Sequence, residues 1–205
     1  MADHIVFKYI CLSFCFQPNQ NDYKVVKMLD HNRPSMEVEV YSLSTNSWKV
    51  IEQAPRLNSL WWLMGNEVCN GIVYWLVYDD GHRIVSFDTG SESFDESLVP
   101  DSILTINGFV KIKVYKETIS LLQGTTNIDF WVLQQGSFQR LRTIFLPNYA
   151  PLGLFTDNGL LVQEKSTYSE LDLFDLESNQ LKSTGILICD PKLYTYKGSL
   201  VLLDH

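Results

Sequence analysis

The segment whose residues are best suited to chemistry is Tyr78-Asp79-Asp80-Gly81-His82. Two carboxylates beside an imidazole can act as an acid–base pair or bind a metal ion. The same residues also make an ordinary turn, because Asp and Gly favour tight turns and apolar runs flank the segment on both sides. A chemical site needs further groups that converge from elsewhere in the chain, and the sequence shows none. We therefore interpret the segment as a turn.

The signatures of the common enzyme classes do not occur in the sequence. It contains no Gly-x-Ser-x-Gly nucleophile elbow, no phosphate-binding Gly-Lys-Ser/Thr loop and no dinucleotide-binding glycine fingerprint. Catalysis needs positioned acids, bases or nucleophiles, whereas carboxylates scattered through loops are typical of a solvated surface. We therefore expect a protein that is not an enzyme and that uses no cofactor.

The cysteine pattern favours buried, reduced thiols. The four cysteines are Cys11, Cys15, Cys69 and Cys189. Cys11 and Cys15 lie in an apolar run, where a free cysteine behaves as a small apolar residue. A zinc site would need a second Cys or His pair at ligand spacing, and the four histidines do not supply one. We expect no bound metal and a cytoplasmic or nuclear location, where thiols stay reduced.

Charge and hydropathy argue against nucleic-acid and membrane partners. The net charge is -8 and no stretch is rich in Lys and Arg, so the usual attraction to phosphate backbones is missing. The apolar segment at 5–16 contains Lys8 and is not followed by a small-residue cleavage site, so we do not interpret it as a signal peptide. No run reaches the roughly 18 apolar residues that a membrane-spanning helix needs.

One pattern recurs four times along the chain and determines the predicted fold. A large aromatic residue is followed, after several small or polar residues, by another large apolar residue. The four copies lie at 41–48, 87–94, 131–138 and 174–181. They begin roughly 44 residues apart, a period typical of blade repeats. Each copy predicts a β-hairpin with a four-residue turn.

The placement of these turns predicts which residues face each other across each hairpin. With turns at 44–47, 90–93, 134–137 and 177–180, the facing pairs are Leu43 with Trp48, Thr89 with Phe94, Leu133 with Phe138, and Leu176 with Leu181. Cross-strand apolar pairs stabilise a sheet. We therefore expect the hairpins to share a core stripe, and we expect Trp48, Trp75 and Trp131 to be core residues.

Two further strand-like segments precede each hairpin. Those directly before the hairpins are 23–29, 70–78, 117–123 and 158–163, and the earlier ones are 7–16, 60–68, 103–114 and 150–155. A last segment, at 197–203, has no hairpin after it. Four strands per repeat predict an all-β fold, a β-propeller or partial propeller with about four blades and an incomplete fifth. A β-sandwich is the competing structure, and the regular period favours the propeller.

A set of short motifs also occurs in a fixed order along nearly the whole chain. These are DYKVVKM at 22–28, EVYSLSTNSWKVIE at 39–52, NGIVYWL at 70–76, RIVSFD at 83–88, IDFWVL at 128–133, LDLFDL at 171–176 and SLVLL at 199–203. Their order and spacing resemble the plant F-box-associated domain, a kelch-like β-propeller. The resemblance implies four antiparallel strands in each blade and a single domain over residues 1–205.

The resemblance also implies a role in substrate recognition. In that family an F-box binds a Skp-type adaptor of an SCF ubiquitin ligase, and the propeller binds the protein substrate. The chain shows no leucine-rich F-box segment, and the first upstream blade is not found either. We therefore expect a Skp-type adaptor as a partner only if an F-box is supplied elsewhere. The alternative interpretation is a β-propeller that binds a small molecule or a glycan.

The expected contact residues lie in the loops that gather on one face of a propeller. Interface hot spots are rich in Trp, Tyr and Arg. On that basis the candidate protein-binding residues are Arg33, Arg56, Trp61, Trp62, Tyr78, His82 and Tyr149. Trp61 and Trp62 would point to opposite faces of a strand, so we expect one of them in the core and the other exposed.

Overall fold

The computed structural model describes residues 9–30, 37–52, 63–78, 82–100, 103, 109–156, 158–165 and 169–188. The chain forms two compact units, residues 1–145 and residues 146–205.

The first unit contains three four-stranded antiparallel sheets, each made of consecutive strands. The first sheet comprises β1 (Tyr9–Gln17), β2 (Asp22–Asp30), β3 (Glu37–Ser42) and β4 (Ser47–Ile51). The second comprises β5 (Leu63–Cys69), β6 (Ile72–Tyr78), β7 (His82–Asp88) and β8 (Ser93–Leu98). The third comprises β9 (Phe109–Tyr115), β10 (Thr118–Gly124), β11 (Asn127–Gln134) and β12 (Ser137–Phe145).

The second unit contains one sheet of the same kind. Its strands are β13 (Tyr149–Thr156), β14 (Gly159–Glu164), β15 (Ser169–Asp175) and β16 (Gln180–Ile188). The all-β prediction with four antiparallel strands per repeat is confirmed, and the four predicted hairpins are β3–β4, β7–β8, β11–β12 and β15–β16. The fifth predicted strand, at 197–203, lies outside the described residues.

The predicted pairing is wrong in three of the four hairpins. The turns begin one residue earlier than expected, so the two large residues of each repeat face each other directly. Tyr41 lies opposite Trp48, Phe87 opposite Phe94, and Phe174 opposite Leu181, in the positions that the prediction gave to Leu43, Thr89 and Leu176. The rings of Phe87 and Phe94 are 4.6 Å apart between centroids, a separation at which aromatic pairs attract.

Side-chain hydrogen bonds at the end of the incoming strand explain the early turn in the second and fourth sheets. Asp175 Oδ1 accepts hydrogen bonds from the backbone N–H groups of Glu177 and Ser178, both at 3.0 Å. Asn179 then adopts a left-handed conformation, with φ of 56°. An Asp that bonds the backbone two residues ahead initiates a turn, so the strand ends at the Asp. Asp88 acts in the same way, accepting from Gly90 N at 2.7 Å.

The third hairpin follows the predicted pairing but has a shorter turn. Leu133 lies opposite Phe138, as expected, and Gln134 lies opposite Ser137. Only Gln135 and Gly136 remain in the turn, with φ of 50° and 77°. Two successive residues with positive φ match the tight hairpin turns whose twist suits flanking strands.

The core of the first unit lies between facing sheets. Val26, Val38 and Val40 of the first sheet pack with Trp75 and Phe87 of the second, and all five are nearly inaccessible to solvent. The opposite face of the second sheet packs on the third. This second cluster includes Leu76, Ile84, Ile112, Ile119 and Leu121. Successive sheets therefore stack face to face, and the first strands of neighbouring sheets contact one another, β1 with β5 and β5 with β9.

A buried polar network joins the first sheet to the second. Lys24 Nζ donates to the carbonyl oxygen of Thr89 at 2.7 Å, and Thr89 Oγ1 donates to the carbonyl of Gly71 at 2.7 Å. Gln17 Nε2 contacts both Thr89 Oγ1 and Asp88 Oδ1 at 3.4 Å. Because Gln17, Lys24 and Thr89 are buried, these hydrogen bonds satisfy groups that would otherwise be costly to remove from water.

The described cysteines carry free thiols. Cys15 and Cys69 are buried, Cys11 is half-buried, and none of the three forms a disulfide. Burial raises the pKa of Cys11 and Cys15, which keeps both thiols protonated near neutral pH. Cys189 lies outside the described residues. In the described part of the chain, no helix has the length and apolar character needed to cross a membrane.

Candidate protein-interaction surfaces

Most of the predicted contact residues lie where the structure gives no description. Arg33, Arg56, Trp61 and Trp62 are all outside the described residues. Those four assignments, including the expectation that one tryptophan is buried and the other exposed, therefore stay predictions.

Tyr78 and His82 are adjacent across the second sheet. Tyr78 is the last residue of β6, His82 is the first of β7, and the two are cross-strand partners. The Tyr78 side chain is 43% exposed. The intervening residues 79–81 lie outside the described part of the chain, so their interpretation as a turn stays a prediction.

Tyr149 begins the fourth sheet and is half-buried. Its cross-strand partner is Glu164, the last residue of β14. Burial raises the pKa of Tyr149, and the nearby carboxylates of Asp172, Glu164 and Glu170 raise it further. Negative charges disfavour the phenolate, so the tyrosine hydroxyl remains protonated and lies in an acidic environment.

A larger candidate surface was not predicted from the sequence. It is the face of the first sheet that points away from the second sheet, and we call it the open face. Alternation along β1 places Cys15 and its neighbours of the same parity in the core and leaves the residues between them outside. The large exposed residues of the open face are Leu12 (49% exposed), Phe14 (73%), Phe16 (39%), Trp48 (51%) and Val50 (52%).

Contacts within the open face hold its aromatic residues in place. Phe16 stacks at a tilt on Tyr23, with 5.0 Å between ring centroids, and Tyr41 packs on Trp48 at 5.4 Å. The Lys27 ammonium lies 5.4 Å from the centroid of the Trp48 ring, within the range of a cation–π contact. The surface is therefore ordered and aromatic, which suits it to binding.

The exposure of Trp48 corrects the expectation that it belongs to the core. Its cross-strand partner Tyr41 lies on the open face, so Trp48 does too. Trp75 is buried as expected, with 1% exposure, and Trp131 is partly buried against the core of the second and third sheets. The sequence carried one signal for the open face, because the segment from Cys11 to Phe16 is apolar at nearly every position instead of every second one.

The third sheet bears a shallow polar depression of about 370 Å³. Its lining residues are Thr125, Thr126, Asn127, Asp129, Arg140 and Thr143. The Asp129 carboxylate is already engaged, because it accepts a hydrogen bond from Thr143 and lies 3.7 Å from Arg140 Nη1. The Arg140 guanidinium lies 5.9 Å from the centroid of the Trp131 ring. These contacts engage Asp129, Arg140 and Thr143 with neighbouring side chains.

No group of three or more His, Cys, Asp or Glu side chains able to hold a metal ion occurs within the described residues. The described surfaces are thus apolar and aromatic on the first sheet, polar on the third and acidic on the fourth. Of these, the surface of the first sheet carries the residue types that are enriched at protein interfaces, Tyr and Trp among them.

Comparison with protein families decides between the propeller and the other all-β folds. A model of the F-box associated beta propeller domain matches residues 6–147. The chain belongs to this family. The match covers the whole of the first three sheets, including the open face, and no F-box is matched in the 205 residues. Membership in the F-box associated domain family points to a role in protein interaction.

Solved structures show the same fold at low sequence identity. The β-propeller domain of the Trilobed protease from Pyrococcus furiosus, described as having an open velcro topology, is 16% identical with a TM-score of 0.54. That match covers 84% of this chain and 57% of the other. A prolyl endopeptidase is 12% identical with a TM-score of 0.53, over 89% of this chain and 27% of the other. This chain therefore spans little more than half of the first and about a quarter of the second.

A comparison with curated proteins gives no match. The similarity to the two proteases concerns the propeller fold alone.

Proposed function

We propose that this F-box associated domain binds a protein target and holds it for ubiquitylation by an SCF-type ligase, without itself catalysing a reaction. An F-box, in this protein or in an associated one, would supply the contact to the Skp-type adaptor. The open face is the surface that we assign to the target. It lies within the residues that match the family model.

The observation that carries this proposal is the exposure of large apolar side chains on one ordered sheet face. Phe14 is 73% exposed, and Trp48 and Val50 are each about half exposed. Soluble proteins rarely expose large contiguous apolar patches, and such patches mark sites of interaction. The burial of aromatic anchors in a complex supplies much of the binding energy of protein interfaces. We therefore assign to the open face a partner segment with apolar side chains.

Binding of a glycan or small molecule is less well supported. Such ligands favour concave sites with a few convergent polar groups. The open face is a sheet surface with few charged groups, among which Lys27 and Glu39 bind each other at 2.5 Å. The polar depression of the third sheet is shallow, and its Asp129 and Arg140 are paired. A broad apolar face suits a protein better than a sugar.

Site-specific photocrosslinking tests the proposal at the level of a single residue. A photoreactive phenylalanine analogue replaces Phe14 on the open face in the full chain expressed in cells. The matched control carries the same analogue at Leu98, which is 85% exposed at the end of β8 and lies outside the open face. We expect a protein to be crosslinked from position 14 and not from position 98, and we expect its half-life to lengthen when the chain is depleted.

The crosslinking outcomes test target binding, the role in ubiquitylation and the assignment of the open face separately. A crosslinked protein whose half-life does not change would contradict the role in ubiquitylation while leaving the binding role. A crosslink only to a second copy of the chain would assign the open face to self-association. Equal crosslinking from both positions, or none from position 14, would contradict the assignment of the open face.

A further inference from the structure

One edge of each sheet is formed by its last strand, which is β4, β8, β12 or β16. An edge strand directs the N–H and C=O groups of every second residue away from its sheet, where they can pair with a strand of another protein. Folded proteins oppose such pairing with bulges and with charged side chains along the edge. The four edges of this chain differ in how far they are protected in these ways.

Bulges interrupt the edges of the third and fourth sheets. The pairing of β11 with β12 shifts register at residues 130–131, and that of β15 with β16 shifts at residues 171–172. In β16 the backbone N–H of Gly185 donates to the Glu170 carboxylate at 2.8 Å. A bulge bends its strand and disrupts the ladder of hydrogen bonds, so these two edges are poor templates for a further strand.

Charged residues protect the edge of the second sheet. The pairing of β7 with β8 is unbroken, but Asp95 and Glu96 lie at the centre of β8. Asp95 Oδ1 accepts a hydrogen bond from the backbone N–H of Glu96 at 2.9 Å, and Arg83 Nη1 donates to Glu96 Oε2 at 2.7 Å. Removal of these charged groups from water by an added strand is unfavourable, so β8 is protected as well.

The edge of the first sheet is regular and accessible. Strand β4 pairs with β3 in unbroken register from Ser47 to Ile51, without a bulge. The first four residues of β4 are all exposed, so solvent reaches both faces of the strand. Because no neighbouring segment covers these residues, the outward N–H and C=O groups of β4 are open to a partner.

The side chains of β4 also favour pairing. Trp48 and Val50 are about half exposed and lie on the open face. Lys49, between them, points to the other face and binds Glu92 of the second sheet. A strand added along β4 would therefore extend the open face, and its alternate side chains would pack beside Trp48 and Val50.

We propose that the target binds as an extended segment, which pairs with β4 as a fifth strand of the first sheet and places alternate apolar side chains on the open face. This inference deepens the proposed function and rests on it, since it specifies the conformation of the bound segment. Main-chain hydrogen bonds to β4 supply affinity, and the side chains beside Trp48 and Val50 supply specificity. Valine, isoleucine and aromatic residues suit such a segment because they favour strands.

A pair of synthetic peptides tests the inference on the full chain. The probe is about nine residues long, a common strand length, and alternates valine with threonine between terminal lysines. The control has the same sequence but carries N-methyl groups on its consecutive central residues, which removes the N–H donors from both edges of the peptide. We expect the probe to bind at least ~10-fold more tightly than the control, because strand addition depends on main-chain hydrogen bonds.

Amide hydrogen exchange measures where the probe binds. In the free chain, the N–H groups of β4 that point away from β3 should exchange rapidly with solvent. The bound probe should protect them from exchange, whereas the amides of β8 and β12 should exchange as before. A helix or a folded segment lying on the open face would leave these edge N–H groups unprotected, so the measurement distinguishes strand addition from binding to the face alone.

Val50→Lys and Leu98→Lys form a matched pair of variants. Val50 is 52% exposed on β4 and Leu98 is 85% exposed on β8, so neither change removes a buried side chain. A lysine on an edge strand opposes pairing with another strand. Val50→Lys should weaken binding of the probe by at least ~5-fold, and Leu98→Lys should leave it unchanged although it adds the same charge. Circular dichroism verifies that both variants fold, and the N-methylated control tests the inference without either of them.

Equal binding of the two peptides, protection of β8 or β12 instead of β4, or unchanged binding to Val50→Lys would each overturn the inference. Protection of β4 that rises with chain concentration in the absence of peptide would assign the edge to a second copy and would overturn it too. A target crosslinked from Phe14 together with equal peptide binding would leave the proposed function and remove only the strand addition. Selective binding of the probe at β4 without any crosslinked target would do the reverse.

Discussion

Gln17 and Thr89 connect the first two sheets although they are far apart in the sequence. Gln17 Nε2 donates to Thr89 Oγ1 at 3.4 Å, and the Thr89 hydroxyl in turn donates to the carbonyl of Gly71 at 2.7 Å. Both side chains are buried, with 2% and 0% exposure. The contact therefore fixes the end of β1 against the turn that links β7 to β8.

Removal of the Thr89 hydroxyl should weaken the junction between these sheets. Thr89→Val keeps the volume but leaves the Gln17 amide and the Gly71 carbonyl without this partner, which costs about 1–3 kcal/mol of unfolding free energy. Thr89→Ser retains the hydroxyl and serves as the control. Urea unfolding measures both. A loss in Thr89→Ser with none in Thr89→Val would show that the threonine methyl group, and not the hydroxyl, stabilises the junction.

Two glycines with similar backbone conformations should respond differently to alanine. Gly71 and Gly136 have φ of 80° and 77°, so both pay a similar backbone strain on substitution. A Cβ at Gly71 would lie 2.6 Å from Gln17 Nε2, whereas a Cβ at Gly136 meets nothing within 4 Å. Because the network holds Gln17 in place, we expect Gly71→Ala to lose about 1–3 kcal/mol more than Gly136→Ala. Equal losses in thermal or urea unfolding would contradict the packing of Gln17 on this turn.

The turn between β15 and β16 should make stability depend on acid pH. Lys182 Nζ binds Asp175 Oδ2 at 2.8 Å, and with the backbone N–H groups of Ser178 and Glu177 it holds the pKa of Asp175 well below its usual range. The folded-state pKa is therefore below the unfolded value of about 3.9. The resulting stabilisation is present above about pH 4 and is lost as the pH falls toward the folded-state pKa.

Asp175→Asn tests this linkage. The variant should be less stable than the wild type at neutral pH, and the difference should shrink below about pH 4, where the wild-type carboxylate begins to be protonated in the unfolded state. Urea unfolding at about pH 7 and about pH 3 measures the two differences. A difference that is equal at both pH values would contradict the role of the ionised carboxylate.

Alanine substitutions at two phenylalanines should show which of the two side chains stabilises the fold and which is free of that role. Phe130 is fully buried in the third sheet, and Phe14 is 73% exposed on the open face. Phe130→Ala should reduce the unfolding free energy by about 3–5 kcal/mol, whereas Phe14→Ala should change it by less than about 0.5–1 kcal/mol. Calorimetric or urea unfolding compares them. A large loss for Phe14→Ala would mean that the open face is part of the core.

The sequence predicted the number and order of the sheets because that information is local. The spacing between Tyr41, Phe87, Trp131 and Phe174 marks one hairpin per repeat, and alternation along each apolar run marks the strands. The pairing register of the hairpins was harder to predict from the sequence. It depends on the side chains beside the turn. Asp88 and Asp175 accept hydrogen bonds from the turn that follows them, and Asp22 of the neighbouring strand accepts one from Ser44 N, whereas the third hairpin has Gln134 at the end of its strand.

The candidate surfaces could be predicted only in part. Tyr149 was identified by its residue type and loop position, but its acidic neighbours come from two other strands, so their convergence depends on the pairing of β13, β14 and β15. Trp48 was assigned to the core because large aromatic residues are usually buried. Alternation places it on one face of the sheet without saying whether another sheet covers that face. The open face could be identified only from the three-dimensional arrangement of the sheets.

The most direct test of the account is the affinity between the purified chain and the protein crosslinked from position 14. We compare the wild type with Phe14→Ser on the open face and Leu98→Ser outside it, by calorimetry. The account predicts that Phe14→Ser weakens binding by at least ~10-fold, since aromatic anchors dominate interface energies, and that Leu98→Ser leaves it unchanged. Equal affinities for all three proteins would contradict the claim that this F-box associated domain binds its target through the open face.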